Sequence, residues 1–150
     1  MELRKITWDE LFSILRDISK KLRDRKIDVV VGIGVSGLIP AIILRRLLGV
    51  NDFYVVIAKH YSDEKPPKVI AKYPVLVQTP DANVLRGKRI LIVDDFVNTG
   101  ETLRLVKEFL IENGALEVVS AVIVKRGDRA KVDVYGIHTD HCVAFPWELI

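Results

Sequence analysis

The segment from Ile90 to Thr102 constrains the fold of this chain more than any other. Four β-favouring apolar residues lead into Asp94 and Asp95, and a short Thr- and Gly-containing loop then precedes apolar residues at helical spacing. This pattern predicts a strand, an acidic tip, a tight loop and a helix N-terminus. Free backbone N–H groups and the helix dipole at such a corner suit a phosphate. The two carboxylates upstream suit sugar hydroxyls or a magnesium ion.

Strands and helices are predicted to alternate along the chain. Thr7 and Glu10 have the spacing of a capping box that opens the first helix. Further helices are predicted at 38–48 and 101–113, and strands at 27–33, 52–58, 90–93, 117–124, 132–137 and 143–145. This order predicts an α/β fold with a doubly wound, mainly parallel sheet. A length of 150 residues favours a single domain, 1–150.

Composition narrows the classes of partner. The 23 basic and 20 acidic residues are interspersed and give a net charge of +3, which fits an anionic small molecule and does not favour nucleic acid. No apolar run approaches the ~20 residues of a membrane span, so no membrane association is expected. Cys142 is the single cysteine, which fits a reducing compartment and a cytoplasmic location.

A second glycine-containing corner admits two interpretations. Residues 32–37 read G-x-G-x-x-G between a predicted strand and a predicted helix, the fingerprint of dinucleotide-binding folds. That interpretation requires an acidic residue about 20 positions further on, at the end of the second strand. Here the strand ends in Ala58, Lys59 and His60 instead. A dinucleotide-binding protein therefore stays a remote alternative.

Residues 90–102 resemble the signature of type I phosphoribosyltransferases, in which a hydrophobic strand, two acidic residues and Thr-Gly-x-Thr follow one another. The resemblance implies that this segment binds the ribose 5-phosphate part of phosphoribosyl pyrophosphate. Asp94 and Asp95 would hold the ribose hydroxyls and Mg²⁺. The residues that would cradle the 5-phosphate are Asn98, Thr99, Gly100, Glu101 and Thr102.

The glycine loop has a place in the same resemblance. Residues 34–41 are similar to the pyrophosphate-binding loop of the xanthine–guanine branch, so Val35, Ser36 and Gly37 would line the pyrophosphate. The branch usually has Arg or Lys before two glycines at these positions, and this chain lacks that cation. Lys59 is the expected substitute, because a cation strengthens contacts to phosphate oxygens.

The base end departs further from the pattern. By resemblance to 6-oxopurine enzymes, Lys125 would donate to the exocyclic oxygen of the purine. Cys142 occupies the position of a stacking aromatic ring, and Val143 belongs to the segment whose backbone binds the base. Asn98 stands where many of these enzymes have an Asp that shares the proton on N7, and an amide hydrogen-bonds without acting as a base. For Phe145 and Trp147, core packing is favoured over base stacking.

The resemblance implies a type I phosphoribosyltransferase-like domain with a small C-terminal hood. It implies transfer of ribose 5-phosphate to a purine, with Asp94, Asp95 and Asn98 as catalytic residues, Mg²⁺ as cofactor and a homo-oligomer, dimer or tetramer, as the assembly. His60, Tyr61 and Ser62 would belong to a flexible loop that closes over the site. Because of the departures at Val35, Asn98 and Cys142, a non-catalytic module that senses phosphoribosyl pyrophosphate or a nucleotide is the alternative.

Overall fold

A six-stranded sheet forms the centre of the computed structural model, which describes residues 2–59 and 74–150. The helices are α1 (Trp8–Leu22), α2 (Leu38–Leu48) and α3 (Glu101–Glu112). The strands are β1 (Leu3–Lys5), β2 (Val29–Gly34), β3 (Asp52–Lys59), β4 (Val75–Gln78), β5 (Arg89–Val97), β6 (Glu117–Arg126), β7 (Val134–Thr139) and β8 (Cys142–Ala144).

The large sheet has the order β4-β3-β2-β5-β6-β7, and every neighbouring pair is parallel except β3 with β4. α1 and α2 pack on one face, and α3 packs on the other, so that two apolar cores sandwich the sheet. The predicted doubly wound α/β fold is confirmed. Among the described residues, no helix has the length and apolar character needed to cross a bilayer.

Local sequence signals account for the helix ends. The Thr7 side chain accepts a hydrogen bond from the Glu10 backbone N–H at 3.1 Å, as the predicted capping box requires. The Glu10 carboxylate, however, pairs with Arg4 at 3.0 Å. α2 ends as predicted at Gly49, whose φ of +68° suits glycine and whose N–H is donated to the carbonyls of Arg45 and Arg46.

The prediction that Asp94 and Asp95 lie at an acidic tip beyond the strand is wrong. The strand continues to Val97, because Phe96 and Val97 pair with Val124 and Lys125 of β6. Both carboxylates therefore lie within the strand, between paired residues, and not in the loop beyond it.

The ladder between β5 and β6 is interrupted beside the acidic pair. Pairing runs to Asp94 with Val122 and resumes at Phe96 with Val124, so that Asp95 and Ile123 are skipped. Ile123 and Val124 consequently pack in the same core, the one beneath α1 and α2. The alternation of side chains along β6 is thereby reset just before Lys125.

A small second sheet forms the predicted C-terminal hood. β8 pairs in parallel with β1, and a 3-10 turn from Pro146 to Glu148 follows it. β1 was not predicted, because its three residues are exposed and carry no apolar periodicity. The Ile6 N–H, donated to the Ala144 carbonyl at 3.0 Å, extends this connection between the two termini.

Candidate active site

The acidic pair lies against the glycine loop. A Cβ atom added to Gly37 would lie 2.9 Å from Asp94 Oδ1 and 3.0 Å from Asp94 Cα, so the two segments are in direct contact. Asp95 donates its backbone N–H to Asp94 Oδ1 at 2.8 Å, which orients the first carboxylate. The structure thus brings together the two segments that the sequence assigned to ribose and pyrophosphate.

The environment of the pair disfavours two full negative charges. Burial raises the pKa of Asp94 well above its ordinary value, and the charge of Asp95 raises it further. Burial also raises the pKa of Asp95, while hydrogen bonds from Asp94 and from the backbone oppose that rise, and Glu148 adds to it. The uncharged form of Asp94 is therefore favoured relative to an exposed carboxyl group, and a bound cation would favour the charged form.

We expect Asp94→Asn to stabilise the protein at neutral pH by about 1 kcal/mol, in the range of single substitutions that relieve functional strain. In the unfolded chain the carboxyl ionises near its ordinary pKa of 3.8, whereas in the folded chain its pKa is raised. The folded state therefore loses stability as pH rises from 3.8 through the folded pKa, and below 3.8 this penalty is absent. Asparagine keeps the acceptor for the Asp95 N–H without the charge.

Chemical denaturation at pH 7.5 and at pH 4, with chelator present, measures this effect. The gain should be largest at pH 7.5 and shrink towards pH 4. A variant that is less stable than the parent at pH 7.5 would show that the carboxylate is stabilised, rather than penalised, by its surroundings.

The loop predicted to bind phosphate, residues 98–102 and here called the phosphate loop, lies directly after β5. Gly100 has a φ of +85°, a left-handed conformation that glycine adopts without strain, and it precedes the first turn of α3. The Thr99 hydroxyl accepts a hydrogen bond from the Glu101 N–H at 3.4 Å. Arg104 is the first residue of α3 whose N–H reaches back to the Gly100 carbonyl, so the N–H groups of Thr102 and Leu103 have no acceptor within the helix. Asn98 and Thr99 are exposed at the mouth of this loop.

The glycine loop follows β2 on the same edge of the sheet. Its Gly34–Val35 peptide bond is cis, and Val35 and Ser36 are exposed. Gly37 is buried, and its φ of −66° is one that any residue can adopt. Glycine is needed at this position because a side chain would collide with Asp94. Lys59 ends β3 on this edge, two residues after Ile57, which pairs with Gly34.

Gly32, the first glycine of the fingerprint, has a packing role. A Cβ atom there would lie 2.7 Å from Leu38 Cδ2 and 3.1 Å from Ala41 Cβ, so glycine lets α2 lie close to the sheet. The motif is thus accounted for by helix–sheet packing at Gly32 and by contact with Asp94 at Gly37, without a dinucleotide.

The residues predicted for the base end are spread over two elements. Lys125 pairs with Val97 near the end of β6, and its ammonium lies 5.5 Å from the centre of the Tyr135 ring. Val143 packs against the core beneath α1 and α2, and Cys142 is exposed on β8. The flexible-loop residues His60, Tyr61 and Ser62 lie outside the described residues.

Three residues near the site were not predicted. Phe96 is half-buried between the acidic pair and the phosphate loop, and an apolar residue directly after Asp95 was the only signal for it. Glu148 accepts the Phe145 N–H at 2.9 Å and is close enough to raise the pKa of Asp95. Tyr135 contacts Lys125 across neighbouring strands, which no local pattern reveals.

The C-terminal aromatic residues form a packed layer. Phe145 is buried, and its ring stacks on Trp147 with centroids 4.7 Å apart and planes 4° from parallel. The ring of Trp8, on α1, lies next to the ring of Trp147, with their centroids 6.2 Å apart. Phe145 therefore packs in the core, as the sequence favoured. The aromatic layer links the hood to α1.

Comparisons with known proteins agree with this geometry. The phosphoribosyl transferase domain family matches residues 7–148. A xanthine-guanine phosphoribosyltransferase of Cereibacter sphaeroides is 30% identical, over 96% of this chain and 86% of its own length. The structure of a purine phosphoribosyltransferase from Pyrococcus horikoshii has a TM-score of 0.82 at 32% identity, covering 99% of this chain and 95% of that one. A Neisseria gonorrhoeae hypothetical protein with bound ppGpp has a TM-score of 0.79 at 25% identity, covering 99% of this chain and 91% of that one.

These matches replace the dinucleotide-binding interpretation and favour turnover over a purely sensing module. They span nearly the whole chain and include both segments that meet at Asp94 and Gly37. The chain therefore belongs to the phosphoribosyltransferase family of transferase enzymes.

Proposed function

We propose that this enzyme transfers ribose 5-phosphate from phosphoribosyl pyrophosphate to a 6-oxopurine (guanine, xanthine or hypoxanthine) and releases pyrophosphate, as a cytoplasmic step of purine salvage. The observation that carries the proposal is the contact between Gly37 and Asp94. It joins a loop suited to pyrophosphate to a carboxylate pair suited to ribose, with a phosphate-binding helix N-terminus a few residues further along the chain.

Each part of the site has a role in this reaction. The backbone N–H groups of residues 98–102 bind the 5-phosphate, with the Thr99 and Thr102 hydroxyls as additional donors. Asp94 and Asp95 hold the ribose hydroxyls and stabilise positive charge that develops on the sugar as pyrophosphate leaves. Catalysis then rests on positioning and electrostatics, so Asn98 need not act as a base.

The acidic pair fits a magnesium ion. Mg²⁺ prefers oxygen ligands and is commonly held by one or two carboxylates together with substrate phosphates and water. Among residues 2–59 and 74–150, no three or more His, Cys, Asp or Glu side chains are grouped so that they could hold a metal ion, and we propose that substrate oxygens complete the coordination. Bound at Asp94 and Asp95, the ion would supply positive charge to the leaving pyrophosphate.

Selection of the base is assigned to Lys125. Its ammonium group can donate hydrogen bonds but cannot accept them, so it favours a keto oxygen of the base over an amino group. The relatives named xanthine-guanine and purine phosphoribosyltransferases support this choice, and so does the guanine nucleotide held by the Neisseria gonorrhoeae protein. We place Val143 and Cys142 at the edge of the same base site, and Lys59 beside the pyrophosphate.

Replacing Lys125 by methionine tests the base end. The variant keeps the length and apolar stem of the side chain and removes the charged donor, so kcat/KM for guanine should fall about 10- to 100-fold, the value of a charge-assisted hydrogen bond. The KM for phosphoribosyl pyrophosphate should change much less. Steady-state kinetics with Lys21→Met, an exposed change on α1, as control would measure both. Equal kinetics in the two variants would remove Lys125 from the base site.

A homo-oligomer, either dimer or tetramer, stays a prediction. Light scattering of the purified protein at micromolar concentration would determine it. A monomeric mass would contradict the expectation.

A further inference from the structure

A cleft of about 780 Å³ lies between α3 and the loop that joins β6 to β7. Arg104 and Lys107 of α3 form part of one wall, and residues 128–133 form the other. Ile92 and Ser120 of the sheet form part of its floor. We refer to this space as the α3 cleft.

The α3 cleft adjoins the proposed active site but does not coincide with it. Within the described part of the chain, neither carboxylate of the acidic pair, nor Asn98, nor any residue of the hood lines it. The two sites share only Thr99, Gly100 and Lys125. The cleft therefore borders the phosphate loop and Lys125 without including the acidic pair that would hold the ribose.

Cationic side chains dominate the lining of the cleft. The five are Arg104, Lys107, Lys125, Arg129 and Lys131. The lining also contains two acidic residues, and each has a partner within the chain. Asp133 accepts hydrogen bonds from the backbone N–H and the hydroxyl of Ser120 at 2.8 and 3.1 Å. Asp128 lies 3.2 Å from His138.

Most of these cations lack a counter-charge. Within residues 2–59 and 74–150, Arg104, Lys107, Arg129 and Lys131 take part in no ion pair. The lining thus carries five cations against two carboxylates, and an excess of positive charge around a concave surface focuses the potential and concentrates anions.

The size and floor of the cleft indicate what kind of anion would fit. The volume falls within the range of about 300–1,000 Å³ that is usual for small-molecule sites. Val132 is half-buried and offers apolar contact area that a bare inorganic anion would not use, whereas Ile92 and Leu103 are buried beneath the cleft. We propose that the α3 cleft is a second anion-binding site that takes a polyphosphorylated small molecule of nucleotide size.

The position of the cleft indicates how a bound ligand would change substrate binding at the active site. A Cβ atom on Gly100 would lie 3.1 Å from the Ala130 Cβ, so the phosphate loop and the cleft wall are in contact. A polyanion in the cleft would repel a 5-phosphate bound at this loop and raise the KM for phosphoribosyl pyrophosphate. This direction, unlike the site itself, rests on the proposed function.

Calorimetry on the full chain would test the second site, with GTP and inorganic triphosphate as probes. GMP at saturating concentration would occupy the proposed active site throughout. The test variant is Lys107→Gln with Lys131→Gln, and the matched control is Arg16→Gln with Lys20→Gln, two exposed cations of α1 on the other face of the sheet. We expect saturable binding in the presence of GMP, about tenfold weaker in the test variant and unchanged in the control.

Each result of this calorimetry either supports or overturns the proposal. Tighter binding of GTP than of triphosphate supports the proposal, because it shows that the lining also contacts the nucleoside. Equal binding of the two probes would overturn the assignment of a ligand of nucleotide size. A dissociation constant that rises without limit as GMP increases, or equal affinities in the test and control variants, would overturn the proposal. Turnover of the test variant without either probe reports on the proposed function separately, so one can fail while the other stands.

Discussion

Replacing Asp94 and Asp95 together by asparagine is expected to lower kcat/KM for phosphoribosyl pyrophosphate by about 10²–10³-fold, the usual effect of removing preorganised charge stabilisation. The reason is that two carboxylates fixed within β5 lose their negative charge while their backbone and their packing against Gly37 remain. Binding of the substrate in the presence of magnesium, measured by calorimetry, should weaken in parallel.

The matched control for this variant is Asp17→Asn with Asp24→Asn, which removes two exposed carboxylates far from the site. It should leave the kinetics unchanged. The test variant should remain folded and, as argued for Asp94, gain stability at neutral pH. Unchanged magnesium-dependent binding in the test variant would mean that these carboxylates do not hold the ribose or the metal.

Replacing Gly37 by alanine is expected to lower kcat/KM for phosphoribosyl pyrophosphate by about 10²-fold, because a misplacement near 1 Å in a positioning loop has an effect of this size. The added Cβ would overlap the Ile33 carbonyl oxygen and crowd Asp94 Cα, and both contacts are backbone that cannot rotate away. The loop must therefore move off the acidic pair. Stability should fall by about 1–3 kcal/mol, as is typical of overpacking.

Gly49→Ala provides the comparison for this variant. Gly49 also precedes a loop, but no atom lies within 4 Å of its added Cβ, and its φ of +68° makes the cost purely conformational. This change should lower stability by about 1 kcal/mol and leave the KM for phosphoribosyl pyrophosphate unaltered. Equal kinetics for the two alanine variants would show that the contact between Gly37 and Asp94 is not part of the substrate site.

The fold was largely predictable because its signals are local. Thr7 caps α1 and Gly49 ends α2 through contacts within a few residues, and both appear in the sequence as recognisable patterns. Continuous apolar runs such as residues 90–93 indicate strands buried on both faces of a parallel sheet. These signals do not depend on the rest of the molecule.

The remaining features depend on residues far apart in the chain. β5 extends past Asp95 because β6 offers Val124 and Lys125 as partners, and β1 exists because β8 pairs with it. The charge of Glu148 raises the pKa of Asp95 although most of the C-terminal half of the chain separates the two residues. Sequence patterns report neither pairing partners nor such distances, so the residue types of the site could be predicted but their mutual placement could not.

The measurement that tests the account most directly is base-dependent release of pyrophosphate from phosphoribosyl pyrophosphate and magnesium by the unaltered chain. Guanine, xanthine, hypoxanthine, adenine, uracil and orotate would be compared under the same conditions. We expect turnover with at least one 6-oxopurine and much slower turnover with adenine and the pyrimidines. No release with any 6-oxopurine, from protein shown to be folded, would contradict it.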